Sequence, residues 1–183
     1  MTDTHNHVAA VFCGSRNGTK PAYRAHAVHL ATLLCEKGIP VVYGGGGKGL
    51  MGAVADTVLA HNGRITGVMP RMLVDVEHQH QGLTDFLITE DMHQRKRIMY
   101  EQCTFAVVLP GGFGTMDELF EMLTWNQLSI HDKRIHLLNT EGYYDHLIGH
   151  MRHMEEDGFL YDSVTNRILI HEEPEGVLRA LEG

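Results

Sequence analysis

This chain has no long run of lysine and arginine. Its acidic side chains outnumber its basic ones by 23 to 15, for a formal charge of −8. That balance speaks against a nucleic-acid partner, because a protein held to a phosphate backbone carries a basic footprint. It leaves room for a local basic site that takes a small anion. Long apolar runs are also missing: no stretch approaches the roughly twenty residues of a membrane span. The opening "MTDTHNHVAA" has neither the positive n-region nor the apolar core of a signal segment. A cytoplasmic protein with no membrane partner is the expectation. Cysteine is scarce and odd in number. Cys13, Cys35 and Cys103 lie in or beside apolar segments, which suits buried thiols in a reducing compartment better than a disulfide framework or a catalytic thiol. Linkers, internal repeats and low-complexity segments are absent as well. What remains is 183 residues, 43% apolar and 21% charged, the make-up of one globular domain spanning 1–183 with a substantial core.

Apolar runs closed by Gly or Pro alternate with longer segments of helical period, the signature of repeated βαβ units. "VAAVFCG" reads as a strand, "AYRAHAVHLATLLCEKG" as a helix and "IPVVYGG" as a strand. The pattern continues with "GLMGAVADTVLAHNG" as helix, "RITGVMP" and "DFLITE" as strands, "MHQRKRIMYEQC" as helix and "TFAVVLPGG" as strand. "TMDELFEMLTWNQLSIHD" then reads as helix through Asp132, "KRIHLLN" as strand and "YYDHLIGHMRHMEEDG" as helix. "NRILIHE" and "PEGVLRALE" close the chain. The expected fold class is α/β: a Rossmann-like, doubly wound, mostly parallel sheet in a three-layer α/β/α arrangement.

Two glycine clusters fall at strand-to-helix turns, where such sheets bind ligands. "GGGGKGLMG", residues 44–52, contains G-x-G-x-x-G at Gly47, Gly49 and Gly52. The dinucleotide version of that motif wants an acid at the end of the next strand, and "GVMPRM" supplies Arg71 instead. A phosphate-gripping Walker loop fails too, because Gly49 stands where Ser or Thr is required. A phosphate or ribose loop is one reading. Tight turns and close packing are the other. The second cluster, "PGGFGTMDE" at 110–118, holds Gly111, Gly112 and Gly114 ahead of Thr115 and Glu118. Thr115 and Glu118 match the spacing of a capping box. Yet a capped helix has no need of three preceding glycines, which together make a concave nest of N–H groups for an anion. A carboxylate one turn in would then face a bound sugar phosphate.

"DMHQRKRIMY" puts Arg95, Lys96 and Arg97 near a helix start, where the dipole disfavours cations. A solvated helix face is the ordinary reading for Lys96 and Arg97. Arg95 is singled out because a planar guanidinium holds a ring or oxygens in a fixed orientation. The fourteen histidines include the pairs His26/His29 and His150/His153 at helical spacing. Without H-E-x-x-H or paired cysteines, they read as packing or solvated residues rather than metal ligands.

"PGGFGTMDE", with "DMHQRK" at 91–96, "GGGGKGLMG" at 44–52 and "VFCGS" at 11–15, closely resembles the LONELY GUY (LOG) family of cytokinin-activating phosphoribohydrolases. "LTWNQLSIHDKRI", "YYDHLI" and "EEDGF" extend the likeness over nearly the whole chain. The resemblance implies hydrolysis of the N-glycosidic bond of an adenine-type nucleoside 5'-monophosphate, to free base and ribose 5-phosphate. It implies a homodimer with sites near the subunit interface; the chemistry it describes needs neither cofactor nor metal. Arg95 and Glu118 would form the catalytic pair. Lys96, Gly111, Gly112, Gly114 and Thr115 would bind the nucleotide, with Ser15, Gly45, Gly46 and Gly49 in the same binding set. Glu77 and Thr124 would flank the substrate. Sequences like this were once labelled lysine decarboxylases, but neither a Schiff-base lysine nor a pyridoxal-phosphate signature is visible. The competing class is a non-catalytic nucleotide or cofactor carrier on the same scaffold. It would use the phosphate amides but have no use for a carboxylate beside the anomeric carbon.

Overall fold

Strands built from Val, Ile, Ala and Phe leave no face for water, and they pair in the middle of a sheet covered on both sides. The computed structural model describes residues 7–74, 76 and 78–182. Its strands are β1 (Ala9–Phe12), β2 (Val41–Tyr43), β3 (Ile65–Pro70), β4 (Asp85–Thr89), β5 (Phe105–Val108), β6 (Arg134–Leu138) and β7 (Ile168–His171). They alternate with α1 (Pro21–Glu36), α2 (Gly49–Ala60), α3 (Met92–Gln102), α4 (Phe113–Gln127), α5 (Asp145–Glu156) and α6 (Pro174–Glu182). Every residue of β1 and β5 is buried. Successive β1 side chains point to opposite faces. Ala9 and Val11 join the layer of α1, α2 and α6 through Leu30, Leu34, Val54 and Val177. Ala10 and Phe12 join α3, α4 and α5 through Met99, Leu119, Met122 and Ile148.

The sheet order is β4-β3-β2-β1-β5-β6-β7. All six pairings are parallel. The chain runs outward from β1 to β4, then returns to β5 on the other side of β1. Loops leaving β1 and β5 therefore diverge onto opposite faces and open a crevice at the carboxyl ends of those strands. This is the Rossmann-like three-layer sheet expected from the alternation. No helix among the described residues is long and apolar enough to cross a membrane.

Helix starts follow local chemistry. Pro21 opens α1, where its missing N–H costs nothing. Asp91 caps α3 by accepting from the Gln94 amide at 2.8 Å, while Gln94 Oε1 accepts from the Glu90 amide at 2.7 Å. The side chain-backbone exchange that the Thr115/Glu118 spacing also allowed thus occurs one helix earlier. In α4 the N-cap is Gly112, and Thr115 lies inside the first turn. That removes the capping-box explanation for the Thr115/Glu118 spacing. The same helix stops at Gln127, short of the Asp132 read from the sequence. Ser129 takes a left-handed φ of 58°, and the Ile130 amide bonds back to the Trp125 carbonyl at 2.9 Å, reversing the chain without a glycine.

Candidate active site

The loops after β1 and β5 are tied together before any side chain is considered. The Gly14 amide donates to Pro110 at 3.0 Å, and the Leu50 amide of α2 donates to Gly14 at 3.1 Å. Gly49 makes the second tie sterically possible. It has φ +62°, and a Cβ there would lie 2.3 Å from the Ser15–Arg16 peptide. Above this junction, α4 begins with Phe113 behind Gly112. The first of its bonds, from the Met116 amide to the Gly112 carbonyl at 3.1 Å, leaves the amides of Phe113, Gly114 and Thr115 ahead of the helical ladder. Such donors, at the positive end of a helix, form an anion cradle.

A cavity of about 190 Å³ sits in the crevice, walled by Cys13, Ser15, Gly44, Met51, Gly112, Gly114 and Thr115, with Arg95 and Glu118 facing each other. Arg95 Nη2 lies 3.5 Å from Glu118 Oε1, with only 7% and 9% of the side chains exposed. Both are brought in by helices on one face of the sheet, α3 and α4, which flank β5 in sequence. Arg95 is fixed further by Nε donating to the Val68 carbonyl at 3.1 Å and Nη2 donating to the Gly44 carbonyl at 3.5 Å. Burying charges this deep is costly unless they are paired and hydrogen-bonded. Burial pushes the Cys13 thiol well above its usual range, with the Glu118 carboxylate adding to the effect. Cys13 is therefore a neutral wall of the cavity, in keeping with the expectation of inert buried thiols.

Lys96 leaves the cavity. It lies under α4, with Nζ 2.6 Å from Glu121 and 3.0 Å from Asp117, and its side chain is 7% exposed. This corrects the expectation of a solvated face. Burial works against the Lys96 charge, but hydrogen bonds to Glu121 and Asp117 outweigh it and raise its pKa. An ammonium held so firmly is a poor imine-forming amine. Arg97 stays on the solvent face as expected, 4.0 Å from Glu101.

Of the other residues expected to bind, Ser15, Gly112, Gly114 and Thr115 line the cavity. Gly111 sits behind it, so close to Thr115 that a Cβ would fall 2.0 Å from Oγ1. Gly45, Gly46 and Gly49 are not among the lining residues; Gly45 packs on Phe86 and Met69, and Gly46 accepts from Tyr43 at 3.2 Å. Thr124 faces away, in a groove with Phe120, Leu123, Met151 and Met154. Glu77 lies outside the described residues. The lining residues that the sequence did not single out are Val11, Cys13, Gly14, Gly44 and Met51. All of them stood in quoted motifs, but nothing in their spacing foretold that an arginine from α3 would reach the end of β2.

A larger cavity of about 950 Å³ opens at the other end of the sheet beside Lys133, Arg134 and Arg167. Its cations are already engaged: Lys133 by the Tyr100 carbonyl, Arg134 by the Ala180 carbonyl at 2.7 Å and Arg167 by Asp162 at 2.7 Å. It offers no pair like Arg95 and Glu118. The histidine pair on α1 reaches acids at the start of α6, His26 to Glu173 just before the helix at 3.2 Å and His29 to Glu175 in its first turn at 3.4 Å.

Residues 51–181 match the family model described as "Possible lysine decarboxylase". The probable cytokinin riboside 5'-monophosphate phosphoribohydrolase LOGL1 of Oryza sativa subsp. japonica is 41% identical over 172 residues, covering 94% of this chain and 77% of that protein. The cytokinin riboside 5'-monophosphate phosphoribohydrolase LOG1 of Arabidopsis thaliana is 38% identical over 172 residues, 94% of this chain and 81% of its own. Among solved structures, TM1055 superposes with a TM-score of 0.74 at 21% identity, covering 96% of this chain and 98% of that one. The molybdenum cofactor binding protein of Rippkaea orientalis does so at 0.72 and 17%, covering 97% and 96%. These two share the fold.

Proposed function

The chain belongs to the LOG family, and on that premise we propose that it hydrolyses the N-glycosidic bond of adenine-type nucleoside 5'-monophosphates, releasing the free base and ribose 5-phosphate. The observation that carries this reading is the buried Arg95/Glu118 pair beside the α4 amide cradle. Breaking a ribosidic C–N bond builds positive charge on the sugar, and the Glu118 carboxylate stabilises that charge and orients or deprotonates the attacking water. The departing base gains electron density, which the Arg95 guanidinium offsets. The 5'-phosphate sits at the amides of Gly112, Phe113, Gly114 and Thr115, so that binding energy far from the bond holds the sugar in place. Each step uses a group of this chain and calls for no cofactor.

Thr124 fits a homodimer, in which the partner's α4 face would bring it near a substrate. The support is the apolar lining of its groove, Phe120, Leu123, Met151, Met154 and Leu160, of which Phe120 is 37% exposed. Light scattering tests that assembly. Three free cysteines suit a reducing cytoplasmic setting.

The test of the activity is incubation of the purified protein with AMP, isopentenyladenosine 5'-monophosphate and adenosine, with detection of free base. Base is expected from the monophosphates and scarcely from adenosine. Comparable turnover of adenosine would remove the role given to the amide cradle. Release from none of the three would end the hydrolase reading.

A further inference from the structure

The segment after β6 reaches across to the glycine loop with two adjacent tyrosines. Tyr144 is buried, and its hydroxyl donates to the Leu109 carbonyl at 2.7 Å. Tyr143 is 40% exposed, and its hydroxyl donates to the Gly111 carbonyl at 2.6 Å. Their backbone is tied down at several points. Asn139 Oδ1 accepts from the Tyr144 amide at 2.7 Å, and Asn139 Nδ2 donates to Asp145 at 2.8 Å. Glu141 and Gly142 are both left-handed, with φ of 48° and 69°, and Glu141 is tied to Lys20 at 3.2 Å. The Tyr143 ring stands edge-on to Tyr23 and Tyr144, with centroids 5.4 and 4.7 Å away. A half-exposed tyrosine so thoroughly oriented needs a reason, and packing alone would not require its hydroxyl.

The carbonyl of Gly111 and the amide of Gly112 belong to one trans peptide, in which C=O and N–H point in opposite directions. Glycines on both sides leave that peptide free to turn. Tyr143 lies across the loop from the catalytic cavity, in a separate cavity of about 340 Å³ with Arg16, Tyr23 and Pro110. Gly112 lines both cavities. We infer that Tyr143 is a positioning residue for phosphate binding: by holding the Gly111 carbonyl on its own side, it aims the Gly112 N–H at the 5'-phosphate in the catalytic cavity. The inference rests on the hydrolase reading for the identity of the anion. With the hydroxyl gone, the peptide can flip and present a carbonyl oxygen to the phosphate, which repels it.

The experiment compares wild type, Tyr143→Phe and Tyr144→Phe by steady-state kinetics with AMP, calorimetric binding of ribose 5-phosphate and of adenosine, and melting temperature. Tyr143→Phe is expected to raise KM for AMP and Kd for ribose 5-phosphate by about three- to tenfold. Its adenosine affinity and melting temperature should stay close to wild type. Tyr144→Phe, which loses a buried bond to the strand end, should melt earlier with little change in KM. An unchanged ribose 5-phosphate affinity in Tyr143→Phe overturns the inference. So does an equal weakening of adenosine, or an equal KM change in Tyr144→Phe, since either would mean general loosening of the loop. Weakened ribose 5-phosphate binding without AMP hydrolysis by wild type would fail the hydrolase reading and leave the role of Tyr143 standing.

Discussion

Glu118 Oε1 and Arg95 Nη2 lie 3.5 Å apart in a cavity that hides more than nine-tenths of both side chains, and neither belongs to a helix cap. Because α4 is capped at Gly112, the carboxylate of Glu118 is not needed to start its helix, and its charge can be removed without unravelling that end. Glu118→Gln is expected to fold, to retain AMP binding and to lose turnover by about a hundredfold or more, as for removal of a central electrostatic or general-base group. Base release read beside AMP affinity checks it. Near-normal turnover in a folded, AMP-binding variant would end the catalytic assignment.

Gly44 touches Arg95 so closely that a methyl group there would lie 2.2 Å from Nη2 and 3.2 Å from the Met51 sulfur. Gly44→Ala must displace the guanidinium. We expect kcat to fall by about tenfold or more, since small misplacements of a reacting group are costly, with far-UV circular dichroism unchanged. Full activity would show that the arginine tolerates another position.

Lys96 joins α3 to α4 through Glu121 and Asp117. Lys96→Met keeps the apolar stem but strands Glu121, whose side chain is 19% exposed, without its cation. Stability should fall by about 2 kcal/mol or more in urea titration, as when one partner of a largely buried pair is removed. AMP affinity should change little in the fraction that remains folded. A large affinity loss at unchanged stability would instead place Lys96 at the substrate.

His136 is fully buried on β6, its Nδ1 3.0 Å from His171 Nε2, and the two rings stack. Burial first, then His171 and Arg134, lower its pKa from 6.5 to about 3. The unfolded chain therefore takes up this proton before the folded one does. Stability present above pH 6.5 is lost as the pH falls toward 3, by about 1.4 kcal/mol per unit at the steepest. His171 is lowered in the same direction, chiefly by burial. Urea midpoints measured between pH 7 and pH 4.5 should drop in wild type and drop less in His136→Leu; equal slopes would exclude His136 as a main source.

Strand and helix order was legible because each βα unit carries its own apolar run and its own Gly or Pro boundary. The end of α4 was not, because Ser129 takes a left-handed turn that glycine usually marks. At Thr115 a genuine four-residue signature was present, but the chain had already entered the helix at Phe113. Lys96 was misjudged for a different reason. Its partners Asp117 and Glu121 belong to another helix, and a local window sees only the cluster of like charges around it. Arg95 and Glu118 were each recognisable from their motifs, whereas the Gly44 carbonyl that holds Arg95 lies 51 positions away in sequence.

Arg95 and Glu118 sit on the two helices flanking β5, so residues 91–127 carry both as one uninterrupted cassette. Such a cassette closes through short loops, which keeps the entropy of bringing the pair together small. It is also a unit that recombination between homologues can move without separating its members. The recipient scaffold must then satisfy a steric condition at the end of β2: a residue with no side chain at position 44, where the incoming guanidinium comes to rest.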